Sequence, residues 1–364
     1  MIPQDVPYRR LQSLQVADSH FSDVGALLAW MGAVQAQDYT SAKWALGIRL
    51  PGITDTDIEN AIANKQIVRT WPMRGTLHFV PAPDAQWMVE LMATKIIQAA
   101  AGRRRQLGIT DEELPVAHAL ITAALQGGKS LQRADLLRVL NEGGISTANQ
   151  RGYHLLAHAA WSGLICLGPM AGKQQTFVLL DEWVPDSVEL THEQALTEIA
   201  VRFAQSHGPV TAPDLSRWTK LSLTEVRKGL QNAQNRLKTV EINGVQHWTQ
   251  PHAPALTPAV HGTYLLPAFD EFVLGYKDRS AVLRTDHEPR IVPGGNGVFL
   301  PLVVQDGQVT GVWRRSITKK VTVEVQLFTA PTATQKHAIT EAAEQFSAFV
   351  QLPLAPITWT RLHY

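Results

Sequence analysis

The chain has 364 residues, 45% hydrophobic and 18% charged, with a formal net charge of +1. This length suits two or three domains, and the composition is that of a folded protein, not a disordered one. So small a charge does not by itself point to nucleic acid, no apolar run approaches the roughly 20 residues that span a bilayer, and a single cysteine, Cys166, excludes an intramolecular disulfide. The opening residues Met1-Ile2-Pro3-Gln4-Asp5 lack the basic-then-apolar order of a signal peptide, and a cytoplasmic protein is expected.

In chain order, the first helices are expected at 22–34 and 55–63. The run Ala33-Val34-Gln35-Ala36-Gln37-Asp38-Tyr39 lies just after the first of them. Two β-like runs follow, Ile67-Val68-Arg69-Thr70-Trp71 and Thr76-Leu77-His78-Phe79-Val80, and they form a hairpin. A second set has helices at 114–126, from Ser130 onward, and at 149–164. Its strands are 165–168 and 177–180, around a glycine-rich tip.

The third set is the clearest. Residues 192–206 show helical spacing of Ala195, Ile199 and Phe203, Thr211 is a candidate N-cap with Pro213 in the first turn, and 223–233 completes three helices. Strands 237–242 and 245–248 then flank Asn243-Gly244, the strongest short hairpin signal. Three helices followed by a hairpin make a winged helix-turn-helix. After Pro251, Pro254 and Pro258 come short β-like runs at 264–266, 273–276, 298–300, 302–304, 309–313 and 321–327, then a helix at 333–350. The expected fold is therefore α+β: three tandem winged helix-turn-helix motifs with a C-terminal antiparallel β-barrel. The domains are 1–110 (with the glutamine pair), 111–188, 189–252 and 253–364.

Charge is uneven along the chain. Arg103, Arg104 and Arg105 sit in an acid-free stretch from Lys95 to Thr110, Arg314-Arg315 and Lys319-Lys320 form a second cluster, and Arg69 and Arg74 flank Trp71. Each reads as a solvated face; phosphate contact needs several on one side of the fold. Three winged helices in one chain argue against a dimeric repressor, which needs two symmetric half-site readers, and fit a monomer that cradles duplex DNA.

Familiar enzyme signatures are missing: there is no phosphate loop, no Gly-x-Ser-x-Gly elbow and no His-Glu-x-x-His. His154 and His158 stand one helical turn apart without a third ligand, so no metal site is expected. Cys166, in an apolar run, reads as core before nucleophile. Asp270, Glu271 and Asp278 offer a general base or, more blandly, salt bridges to Lys277 and Arg279.

Gln35-Ala36-Gln37, Met73-Arg74-Gly75-Thr76-Leu77-His78, the block 266–280, and Asn296-Gly297-Val298-Phe299 with Gly311-Val312-Trp313 resemble the AlkZ-like DNA glycosylases, which include the YcaQ branch. The resemblance implies a C-shaped, monofunctional glycosylase without lyase activity or cofactor. It would remove alkylated purines from double-stranded DNA and unhook crosslinks joined through purine N7. It implies Gln35 and Gln37 as the catalytic pair. The YcaQ branch has aspartate at the second position, and Asp38 here is one place out of register for that role. Arg74 is a candidate phosphate contact, His78 an orienting residue, and Arg103, Arg104 and Arg105 candidate DNA contacts. The loop 286–297 is a candidate wedge into an open groove.

The chemistry agrees. An N7-alkylated purine is already cationic and leaves as a neutral base, so the enzyme need only place a water and stabilise an oxocarbenium-like sugar. A glutamine carbonyl can accept from the water or face the cation, while its amide NH2 fixes the orientation. The bland alternative is two polar residues capping a helix end, and the alternative function is a winged-helix DNA-binding protein or regulator without catalysis.

Overall fold

The computed structural model describes residues 3–295 and 297–361; Asn296, in the expected wedge loop, lies outside them. The chain divides into two compact units, Glu59–Leu196 and a second formed by Met1–Ile58 with Thr197–Tyr364.

In the Glu59–Leu196 unit, strands Ile67–Met73 and Thr76–Pro81 pair antiparallel, with Met73 opposite Thr76. The two residues between them, Arg74 and Gly75, both have positive φ (56° and 69°). That is the turn geometry whose twist matches paired strands. Strand Ile165–Ala171 pairs with Ile67–Met73 on one side and Gln174–Leu179 on the other, and Leu131–Gln132 closes that edge. Helices Glu113–Leu125, Arg133–Glu142 and Arg151–Trp161 seal a core of Ile121, Leu136, Leu140, Leu155 and Phe177. The 22-residue helix Ala85–Gln106 was not anticipated as an element; it carries the triple arginine in its last turn, where basic residues complement the helix dipole.

In the other unit the expected helix 22–34 is shorter. Helix Val24–Met31 ends at Gly32 (φ 76°), and the chain then extends through strand Val34–Gln35 into helix Tyr39–Gly47. Helices Ala212–Thr219 and Leu223–Asn232 each open with a capping box, Thr211 with Asp214 and Ser222 with Glu225. Hairpin Lys238–Ile242 and Val245–Thr249 turns at Asn243-Gly244 as its sequence demands.

The remaining strands form one sheet. Thr263–Leu266, Leu302–Gln305, Gln308–Ile317 and Val321–Leu327 pair antiparallel in sequence order, and Thr358–Arg361 adds parallel to Val321–Leu327. Helix Ala333–Phe349 buries Ile339, Ala343 and Phe346; the Phe346 ring stands 5.1 Å from that of Trp44 and 5.4 Å from that of Trp313.

Two expected strands are not strands. Residues 273–276 fall in and after helix Glu271–Leu274, capped by Asp270, whose side chain accepts from Phe272 N. Phe272, Val273 and Tyr276 are buried on every side, so apolar periodicity could not separate a helix from a strand there. Residues 298–300 make no ladder, because the Leu300 N–H is spent on Ile291 O at 2.9 Å.

Candidate active site

The segment Gln35-Ala36-Gln37 bridges the short strand and helix Tyr39–Gly47. Val34 and Ala36 are buried, Gln35 is 9% exposed and Gln37 is exposed. Neither glutamine caps a helix. Gly32 ends the preceding helix, and Asp38 is the N-cap of the next, its carboxylate accepting from Ser41 N at 3.0 Å and Ser41 Oγ at 2.9 Å. Asp38 therefore has a structural task of its own beside the pair.

That helix is fixed on three sides. Trp44 Nε1 donates to Leu265 O at 2.8 Å. Arg49, just past its end, donates from Nη1 and Nη2 to both Asp270 oxygens at 2.9 Å, with the two side chains 1% and 0% exposed. Arg315 Nη2 donates to Ser41 Oγ at 3.0 Å. Burial lowers the Arg315 pKa while the charge of Asp38 opposes the shift, so a desolvated cation backs the cap beside Gln37. Of the second basic cluster, Arg315 is thus drawn inward, whereas Arg314, Lys319 and Lys320 stay exposed.

Arg74 and His78 are coupled to each other. Arg74 Nη2 donates to His78 Nε2 at 2.9 Å, and His78 Nδ1 lies 2.9 Å from Thr76 O. The ring has an acceptor at one nitrogen and a donor at the other, the neutral form with the proton on Nδ1. Burial, reinforced by the Arg74 charge, holds the His78 pKa well below its ordinary value. The contact also braces Arg74 in a left-handed conformation that a side chain rarely adopts.

The three arginines of the long helix have separate fates. Arg104 is buried and donates to Ile97 O at 2.9 Å; Arg103 is exposed and donates to Gln150 Oε1 at 2.9 Å; Arg105 is exposed. Arg69 is buried and donates to Gln175 Oε1 at 2.9 Å.

The acidic block finds partners other than those expected. Asp270 pairs with Arg49, not with a neighbour in sequence. Glu271 Oε2 accepts from Trp218 Nε1 at 3.0 Å and lies 3.3 Å from His207 Nε2. Lys277 donates its backbone N–H to Asp214, and Arg279 pairs with Glu288 at 2.6 Å. Asp278 accepts from Ser280 N at 2.9 Å, which with the Ser280 side chain lowers its pKa. A bidentate buried ion pair leaves Asp270 no freedom to act as a base.

His158 Nδ1 lies 3.0 Å from His118 Nε2, a partner the sequence reading missed, and burial plus the neighbouring imidazole push its pKa down to about 4. Among the described residues no group of three His, Cys, Asp or Glu could hold a metal, and no helix is long and apolar enough to cross a membrane. Cys166 is fully buried, which raises its thiol pKa and keeps it from being nucleophilic.

The chain belongs to the AlkZ-like family: the model described as "DNA glycosylase AlkZ-like" matches residues 28–349. That family places it among the DNA glycosylases, enzymes that hydrolyse N-glycosyl bonds. It is similar to the "Interstrand DNA cross-link repair glycosylase" of Streptomyces sahachiroi, 26% identical over 292 residues, which are 77% of this chain and 79% of the relative. The solved structure of the Streptomyces sahachiroi DNA glycosylase AlkZ shares the fold, with a TM-score of 0.81 at 23% identity over 98% of this chain and 99% of that one.

Proposed function

We propose that the chain excises cationic N7- or N3-alkylpurines from double-stranded DNA as a monofunctional glycosylase, and that N7-linked interstrand crosslinks are among its substrates. One observation carries the reading. In a chain of this family, a nearly buried Gln35 ends a short strand and an exposed Gln37 follows it, directly before a helix held by Asp38, Trp44 and Arg49.

In this reading Gln37 accepts a hydrogen bond from the attacking water, and Gln35 faces the sugar as positive charge grows at C1′. Water adds to C1′ as the bond to the purine nitrogen breaks. The base leaves neutral because alkylation had already made it cationic, and the water's second proton passes to solvent. No lysine is needed, since water is the nucleophile, so the product is an abasic site with an uncut backbone.

The helix–helix–hairpin order of 212–249 and its counterpart at 113–179 support winged helices as the DNA grip. Among the described residues the C-terminal strands run as an open five-stranded sheet with one parallel edge pair, not as the expected closed antiparallel barrel. Domains at 1–110, 111–188, 189–252 and 253–364, a monomer, and DNA contacts by Arg74, Arg103 and Arg105 belong to the same proposal. Gln35→Ala and Gln37→Ala, assayed separately on duplex carrying 7-methylguanine, test it. Each should lower base release about 100-fold or more, the cost of losing one charge-stabilising group, with duplex affinity kept. Unchanged release in both variants would remove the pair from the mechanism.

A further inference from the structure

A cavity of about 690 Å³ opens in the discontinuous unit between helix Ala212–Thr219 and the glycine-rich turn that precedes Phe299. Arg279 lines it with a side chain only 10% exposed. Its Nε donates to Val273 O at 2.8 Å, its Nη1 donates to Glu288, and its guanidinium lies 4.9 Å from the centre of the Phe299 ring. Its Nη2 is buried and has no hydrogen-bond partner among the described residues. A guanidinium presents five fixed donors, and a buried donor left unmet is rare in folded proteins.

The lining holds a second cation. Arg217 is exposed and lines the same cavity, close enough that its charge lowers the Arg279 pKa alongside burial. Among the described residues that line the cavity, the one carboxylate, that of Glu288, is already engaged with Arg279 Nη1. Gly294, Gly295 and Gly297 complete the wall at positive φ, and a Cβ added to any of them would meet nothing within 4 Å. Their lack of side chains therefore serves no packing need. The positive φ is what calls for glycine here, and Gly295 N–H is already donated to Val292 O at 3.1 Å, so the turn shapes the cavity while the arginines supply the donors.

We propose that this cavity is a phosphate subsite in which Arg279 and Arg217 grip one backbone phosphodiester of the DNA; the proposal rests on the glycosylase reading above. Two guanidiniums with an unmet donor suit a phosphate, because planar N–H pairs match its oxygens. The volume exceeds that of a lone phosphate and leaves Pro289 and Val292 to cover adjoining deoxyribose. That favours a phosphodiester within a strand over free inorganic phosphate.

The test uses the full chain and a duplex with a tetrahydrofuran abasic-site analogue, which fixes the register. Single methylphosphonate linkages, which lack the charge, are walked along each strand. One linkage should weaken wild-type binding by roughly 3- to 10-fold, and that linkage should cost nothing in Arg217→Gln. The slope of log K against log salt should shrink by about 0.9 in this variant, the loss of one phosphate contact. Arg217 is exposed, so the variant folds. Arg279→Lys keeps a charge but loses the Nη2 donor, and it should show the same insensitive linkage.

Equal slopes and an unchanged methylphosphonate profile in Arg217→Gln would overturn the proposal. So would inorganic phosphate raising the wild-type Tm, but not that of Arg217→Gln, with the DNA slope unaltered; the site would then take a free anion. A changed slope from a protein that releases no base from any alkylated duplex would uphold the subsite and sink the glycosylase chemistry instead.

Discussion

Replacing Arg49 with methionine should be among the most damaging single changes away from the glutamines. The substitution removes a guanidinium that makes two 2.9 Å bonds to Asp270 and donates to Leu14 O and Ala45 O at 2.7 Å each. Asp270 is 0% exposed at its side chain, so its charge would be left without compensation. Breaking a buried pair by removing one partner costs about 3–5 kcal/mol, whereas removing both is far milder. In urea, with a slope of about 3 kcal/mol/M for a unit of this size, that is a midpoint shift of about 1–2 M. The readout is tryptophan fluorescence, since Trp44 and Trp313 are buried in the same unit. Asp270→Leu alone should cost about 3 kcal/mol, and Arg49→Met with Asp270→Leu should cost at least about 2 kcal/mol less than the sum of the singles. Single changes costing under about 1 kcal/mol, or strict additivity, would refute the view that this pair anchors the helix behind Gln37.

Asp38→Ala should lose about 1 kcal/mol, the usual value of an N-cap, while Asp38→Asn, which keeps the acceptor, should retain both stability and base release. A large activity loss in Asp38→Asn alone would show that the carboxylate takes part in the chemistry. Protonation of His158 should destabilise the fold. Its folded pKa of about 4 lies below the ordinary 6.5, so the unfolded chain takes the proton first. Stability is then full above about pH 6.5 and is lost as pH falls toward about 4, by on the order of 2 kcal/mol for a partly shielded group. Urea midpoints across that range should fall more steeply in the wild type than in His158→Gln, and parallel curves would contradict the assignment.

Local signals in the sequence were the ones that carried through. Asn243-Gly244 and Arg74-Gly75 turn where their flanking β-rich runs require it, and Thr211 caps as its spacing to Asp214 implies. Length and burial defeated the same logic elsewhere. The helix Ala85–Gln106 mixes a buried first half with an end where Arg103 and Arg105 are exposed and Arg104 is buried, so no one face runs its length. The apolar run around Val273 looks alike as a strand or a buried helix. The site's supports were least legible of all. Arg49 and Asp270 are 221 residues apart and Ser41 and Arg315 274 apart, and nothing near either residue announces its partner. The glutamine pair was visible as a motif, but its brace exists only once the chain has folded.

The most direct measurement incubates the unmodified protein with duplexes carrying 7-methylguanine, 3-methyladenine or an N7-linked interstrand crosslink and detects abasic product by alkaline cleavage. Free base and an intact backbone before alkali are expected, with release abolished in Gln37→Ala while that variant still binds the duplex. No base released from any of the three duplexes would contradict the account.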